Sequence, residues 1–236
     1  RMEEPENIIS FIKENLNLNL PLSSKKVLIT AGPTQEKIDN VRYISNYSSG
    51  KMGIALAKVA AELGANVKLI LGPTNHSIIH SNIEIINVLS ADHMYDRVLA
   101  NFSSTDIIIC AAAVSDFKPR NSLKKKIKKE TGFNKIELVP NKDILLEISK
   151  KKSTSQILIG FALESDNEIN NAISKLKNKN LDFVVLNSTN DKDAGFSVDT
   201  NKITIIDSDS NIEEFKLKSK YNVSNDIFNK ILKIKK

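Results

Sequence analysis

The sequence predicts an α/β fold: a mostly parallel sheet flanked by helices, with an antiparallel hairpin near its C-terminal end. Two observations carry this. Short apolar runs such as VLIT (27–30), IIIC (107–110) and ILIGF (157–161) suit strands buried on both faces, and they alternate with amphipathic segments of helical period. Residues 1–24 read as a short helix, with Ile8, Ile9, Phe11, Ile12 and Leu16 on its apolar side, followed by the polar inter-domain linker NLNLPLSS. The remainder, 25–236, reads as one domain. Its first strand, Val27 to Thr30, stops at Gly32-Pro33, and a polar loop leads to SNYSSGKMG. A helix from Lys51 to Leu63 places Ile54, Ala55, Val59 and Leu63 near one face and stops at Gly64. Strands at Asn66–Leu71 and Ile83–Val88, a helix at Ala91–Phe102 and a strand at Asp106–Ala112 continue the alternation. The long polar segment 114–132 interrupts it, and structure resumes at strand Lys135–Val139. Then come helix Asp143–Lys151, strand Ile157–Phe161, helix Asn167–Lys179 and strand Phe183–Leu186. ITIID and EEFKLK around the turn SDSN form the hairpin, and Ser224 to Ile234 a closing helix.

With 236 residues and 41% hydrophobic content, the chain has material for a proper core. Thirty-four Lys and Arg against 28 Asp and Glu leave +6, which suits anionic ligands without singling out nucleic acid. Cys110 is the lone cysteine, so an internal disulfide is excluded and a reducing compartment fits; its place at the end of IIIC marks it as a buried strand residue. No apolar run approaches the ~20 residues of a membrane span, and no charged-then-apolar leader precedes the first helix. A cytoplasmic protein is expected. The start at Arg1 reads as a fragment or processed product.

Ser48, Ser49, Gly50 and Gly53 surround the start of the Lys51 helix, where unpaired N–H groups and the helix dipole favour an anion such as phosphate. A Walker loop is rejected, because Ser45 and Met52 stand where it needs Gly and Ser or Thr. A dinucleotide site lacks the tight glycine pattern, and the second strand ends in Gly72-Pro73-Thr74 without a ribose-binding acid. Lys124, Lys125, Lys126, Lys128 and Lys129 crowd six positions and repel one another. The run 118–130 therefore reads as a flexible lysine-rich loop: a solvated charge run, a nucleic-acid patch, or a lid over a polyphosphate. Ile127, an apolar anchor among the charges, and the position beside a strand end favour the lid. Asp116 at that strand end is either a Mg²⁺-holding carboxylate or a turn aspartate. His76, His80 and His93 lack companions for a metal site.

TAGPT, D-x-V-R-Y-I-S-N-x-S-S-G-K-M-G, AAAVSDF, KIKK, GFALES-x-N and KNLDFVVLN occur in order from residue 30 to 187. In order and spacing they resemble the phosphopantothenoylcysteine synthetases of coenzyme A biosynthesis, in their bacterial CTP-dependent form. The resemblance implies a Rossmann-like sheet and a ligase that joins 4′-phosphopantothenate to cysteine through an acyl-cytidylate, consuming CTP with Mg²⁺ and releasing pyrophosphate and CMP. It implies a homodimer, and RMEEP looks like the joint after a fused decarboxylase, whose FMN is expected only with that upstream domain. By position, Lys126 matches the lysine of the first step and Asn46 the asparagine of the second, while Arg42 falls in a region that also lies at the dimer interface. Nucleotide contacts are implied for Cys110, Ala111 and Ala112 through the main chain, and for Asp116, Lys142, Asp143, Ile144, Leu145, Phe161, Lys175 and Lys179. The family's usual Asn-Pro-Asp reads Asn141-Lys142-Asp143 here, and Ser115 stands where alanine is commoner. Two competitors remain: an NAD(P)-dependent oxidoreductase and a nucleic-acid-binding module using the lysine loop. With the resemblance, neither nucleic acid nor membrane is expected as a partner.

Overall fold

The computed structural model describes residues 3–5, 8–9, 20–128, 134–195 and 197–234. The expected N-terminal helix falls mostly outside them, as does Lys129. The strands are β1 (Lys26–Ala31), β2 (Gln35–Lys37), β3 (Tyr43–Ser45), β4 (Asn66–Leu71), β5 (Ile83–Asn87), β6 (Ile107–Cys110) and β7 (Phe117–Pro119). There follow β8 (Leu138–Pro140), β9 (Ile157–Glu164), β10 (Phe183–Ser188), β11 (Thr200–Asn201), β12 (Thr204–Asp207), β13 (Ile212–Glu214) and β14 (Lys218–Ser219). Helices cover Lys51–Glu62, Ala91–Asn101, Ile144–Lys151, Glu168–Asn178 and Lys220–Ile231.

Eight strands form one sheet in the order β13-β12-β10-β9-β6-β1-β4-β5. The six from β10 to β5 are parallel, and β12 and β13 add on antiparallel. β1 explains the two-layer cover. Val27, Ile29 and Ala31 face a core shared with helices Lys51–Glu62 and Lys220–Ile231, whereas Leu28 faces a second core with the other three helices. Alternate residues of a strand point to opposite faces, so a strand covered on both must be apolar throughout. The chain winds from β1 out to β4 and β5, then returns to place β6 on the other flank of β1. Strand order reverses between β1 and β6, and ligands of open α/β sheets bind at the carboxyl ends flanking such a reversal.

Several expectations need correction. The stretch before SNYSSGKMG is not a plain loop: β2 and β3 pair as a hairpin, and the buried Glu36 carboxylate accepts a hydrogen bond from Ala91 N at 2.8 Å. The polar segment after Ala112 does not run unstructured to residue 135, because β7 pairs antiparallel with β8, which also moves the expected 135–139 strand to 138–140. The expected C-terminal hairpin is present, β12 pairing antiparallel with β13, and β12 also pairs with β10 and so joins the main sheet. The last helix starts at Lys220, where the Ser219 hydroxyl accepts Asn222 N at 3.2 Å as an N-cap. The Lys51 helix buries Gly53, Leu56, Ala57 and Ala60 more deeply than Ile54 and Ala55, because it is packed between the sheet and the last helix.

Candidate active site

Two adjoining cavities of about 260 and 270 Å³ open at the carboxyl ends of β1, β6 and β9 and share Ala112, Val114, Asp116, Phe161 and Lys175. The first is floored by Ser48, Ser49, Gly50 and Gly53. Gly50 is the N-cap of the Lys51 helix, at φ +79°, a left-handed conformation that glycine adopts freely. The N-cap residue itself offers no side-chain cap, being glycine, and no acid occupies the first turn, so the N–H groups and the positive end of the dipole lie at the cavity floor. Thr74 braces the turn, its hydroxyl donating to Ser49 O at 2.7 Å.

The second cavity is walled by Cys110, Asp143, Ile144, Leu145 and Lys179. Lys175 reaches from the Glu168–Asn178 helix to donate to Phe161 O at 2.6 Å, and burial pushes its ammonium pKa down, opposed by Glu164, Cys110 and Asp116. Lys179 pairs with the Asp143 carboxylate, whose other oxygen accepts Leu146 N as the cap of the Ile144–Lys151 helix. Lys142 lines the cavity, but its ammonium sits over the Tyr95 ring, 4.5 Å from the centroid. Burial pushes the Cys110 thiol up to about 12, so it stays protonated. The N–H groups of Ala111 and Ala112 are already committed to Thr30, at 3.2 Å to its carbonyl and 3.3 Å to its hydroxyl.

Asn46, Arg42 and Lys126 line neither cavity. The Asn46 amide donates to Ala113 O at 2.8 Å, at the rim of the first cavity. Arg42 is bound to Asp39 through Nε at 3.0 Å and Nη2 at 2.5 Å. Lys126 is exposed on the segment leading away from β7.

Sequence reasoning missed three residues of the first cavity: Lys220, Asn187 and Asn201. Lys220 is buried, donates to the carbonyls of Gly195, Val198 and Thr200, and is depressed to about 8 by burial and by Lys51. Asn187 Nδ2 donates to Asn201 Oδ1 at 2.6 Å, while its buried Oδ1 has no hydrogen-bond partner among the described residues. Nothing local marks Lys220 out among the lysines of KLKSK; the serine before it, a cap signal, was the available clue.

Known proteins share this arrangement. A crystal structure of the C-terminal domain of the coenzyme A biosynthesis bifunctional protein CoaBC superposes with a TM-score of 0.77 at 36% identity, covering 91% of this chain and 97% of that one. CoaBC of Bacillus subtilis (strain 168) is 43% identical over all of this chain and 58% of its own length. A cysteine/cysteine sulfinic acid decarboxylase from an unknown prokaryotic organism is 51% identical over 98% of this chain and 66% of its own length. The chain thus spans about three fifths of the length of these curated relatives. Residues 22–234 match a single family throughout, from the strand before the glycine mouth to the last helix. The chain belongs to the DNA/pantothenate metabolism flavoprotein C-terminal domain family.

Proposed function

We propose that this domain joins 4′-phosphopantothenate to cysteine, using CTP. The observation that carries the reading is the pair of adjoining anion-suited lobes at the strand reversal, one with helix N–H groups and the other with Lys175 and Lys179. A nucleoside triphosphate and a phosphorylated acid need two such subsites side by side, and the CoaBC relatives carry coenzyme A biosynthesis in their names. The decarboxylase name of the 51% relative belongs to a protein of which this chain spans 66%, and its activity is not carried over to this domain.

In the first step a carboxylate oxygen attacks the α-phosphorus of CTP; the bond to the β-phosphate oxygen breaks, and pyrophosphate leaves with its electron pair. Lys126 offsets the charge growing on the phosphoryl oxygens. In the second step the cysteine amine attacks the acyl carbon, loses a proton and displaces CMP, while the Asn46 amide donates to the carbonyl oxygen as it gains charge. Among the described residues no group of three or more His, Cys, Asp and Glu is arranged to hold a metal. A single carboxylate such as Asp116 fits Mg²⁺ that arrives with a triphosphate, since that ion takes one or two protein carboxylates and completes its shell with phosphate and water. Mg²⁺ so held would draw charge from the phosphate oxygens. Exposed Val41, Tyr43 and Tyr47 on or beside the β2–β3 hairpin, with Phe117 and Leu138 on β7 and β8, support a homodimer formed through this face.

The experiment is pyrophosphate release from CTP with phosphopantothenate alone, then with cysteine added. Release without cysteine, followed by product on its addition, is expected. Lys126→Gln should abolish release, and Asn46→Asp should release pyrophosphate without passing the acyl group to cysteine. NAD(P)H binding without any CTP turnover would overturn the reading.

A further inference from the structure

The side chain of Asp39 is fully buried between the ends of β2 and β3, and both its oxygens are saturated. Oδ1 accepts from Val41 N and Arg42 N, each at 2.8 Å; Oδ2 accepts from Arg42 Nε and Nη2. A buried carboxylate requires such partners, and four local donors would already serve. Yet Oδ2 takes a fifth hydrogen bond from outside the hairpin, from Ile127 N at 3.1 Å. Arg42 Nη2, turned back by its pairing with Asp39, donates to Ile127 O at 3.1 Å. Both main-chain groups of one residue, 85 or more positions away, are therefore held by one ion pair. Upstream, Leu123 N donates to Ile38 O at 3.0 Å, and Ile38, Leu123 and Ile127 line one small cavity. The grip closes on the peptide unit next to Lys126.

We propose that Asp39 is a positioning residue: with Arg42 it clamps the peptide groups of Ile127 and thereby sets where the Lys126 ammonium is presented, at the turn end of the hairpin whose open end leads to Asn46. The assignment to Lys126 chemistry rests on the ligase reading above; the clamp itself does not. The like-charged lysines on either side of Ile127 push the segment toward an extended, mobile state, and a charge-assisted pair of hydrogen bonds opposes that. Arg42 accordingly acts within its own chain, through main-chain contacts, whatever it also does across a dimer.

The test uses the full chain and two variants. Asp39→Asn keeps the volume and removes the charge; Ile127→Pro leaves Asp39 and Arg42 intact and removes the N–H that Oδ2 accepts, together with the Ile127 side chain and the φ freedom of that residue. Losing one hydrogen bond to a charged group should speed amide exchange at Leu123 and residues 124–126 by roughly ten- to a hundredfold. Exchange in β1, β6 and β9 should stay at the parental rate. In turnover, both variants should lose at least tenfold in the rate of pyrophosphate release while KM for CTP stays within about twofold, because the nucleotide lobes are untouched. Parental exchange at 123–126 in Ile127→Pro overturns the clamp, even if Asp39→Asn proves too unstable to measure. Faster exchange with an unchanged rate of release overturns the positioning role. A parental protein that releases no pyrophosphate overturns the ligase reading alone, and the exchange comparison then still decides the clamp.

Discussion

Replacing Gly53 by alanine sets helix propensity against packing. Gly53 is the third residue of the Lys51–Glu62 helix, and an added Cβ would lie 2.3 Å from Ala31 Cβ, 3.0 Å from Ala31 Cα and 3.3 Å from Thr30 O. Carbon atoms in contact sit about 3.5–4.0 Å apart, so the first turn of the helix must retreat from β1 by roughly 1 Å or more. Ala31 cannot give way, because it is fully buried in a strand hydrogen-bonded on both sides. Exchanging Gly for Ala inside a helix gains about 1 kcal/mol, whereas overpacking a dense core costs about 1–3 kcal/mol. The upper end applies against an immovable backbone, so a net loss of about 1–2 kcal/mol is expected. For a domain of this size that lowers Tm by about 2–8 °C. The larger effect is functional. The displaced turn carries the N–H groups that floor the first cavity, and a misplacement of about 1 Å can cost up to ~10²-fold in turnover. Thermal melting and calorimetric titration with CTP in parallel test this. A Gly53→Ala protein that melts at or above the parental temperature, with parental CTP affinity, would refute the close-approach argument.

Three further outcomes are expected. Cys110, held as a thiol with its pKa near 12, should react with iodoacetamide at pH 8 only after unfolding in urea; prompt alkylation of the native protein would show it is accessible as thiolate. Lys175→Met should weaken CTP binding at least tenfold yet leave Tm equal or higher, since an apolar isostere removes a buried charge; lower stability with unchanged affinity contradicts this. Arg42, with the Ile127 and hairpin N–H groups, holds the Asp39 carboxyl well below the usual range. Its stabilising contribution is therefore complete above the ordinary value of about 3.9 and is lost as pH falls through that value toward the lower folded one. The acid limb of Tm should flatten below pH ~4 in Asp39→Asn, and an equally steep limb would count against the pairing.

The sheet strands β1, β6, β9 and β10 are legible in the sequence because burial on both faces leaves each an apolar run, and β4 is legible from Val67 and Leu69–Leu71 despite Lys68. The glycine mouth is legible for a related reason, since glycines and serines before a small-residue helix leave few other roles. The three-residue strands β2, β3 and β7 are not, and β8 is legible only with shifted bounds. Each is too short to show a period, and the β2–β3 hairpin is fixed by distant partners such as Ala91 for Glu36 and Ile127 for Asp39. Individual residues were assigned candidate catalytic and nucleotide-binding roles from family resemblance; charge and spacing alone left Lys126 one lysine among five. Lys220 escaped, because burying a lysine against three carbonyls is a tertiary event, and the capping serine before it marks only the helix start.

The reversal of strand order between β1 and β6 has an evolutionary consequence. Whatever lies across that gap rests on peptide groups at the ends of two strands bonded to each other, and peptide groups cannot be substituted one at a time. Heritable tuning of this crevice is thereby confined to its margins, the 141–145 turn, Phe161 and the 195–201 loop. Those margins can be redrawn to suit a different ligand while the main-chain floor keeps its shape.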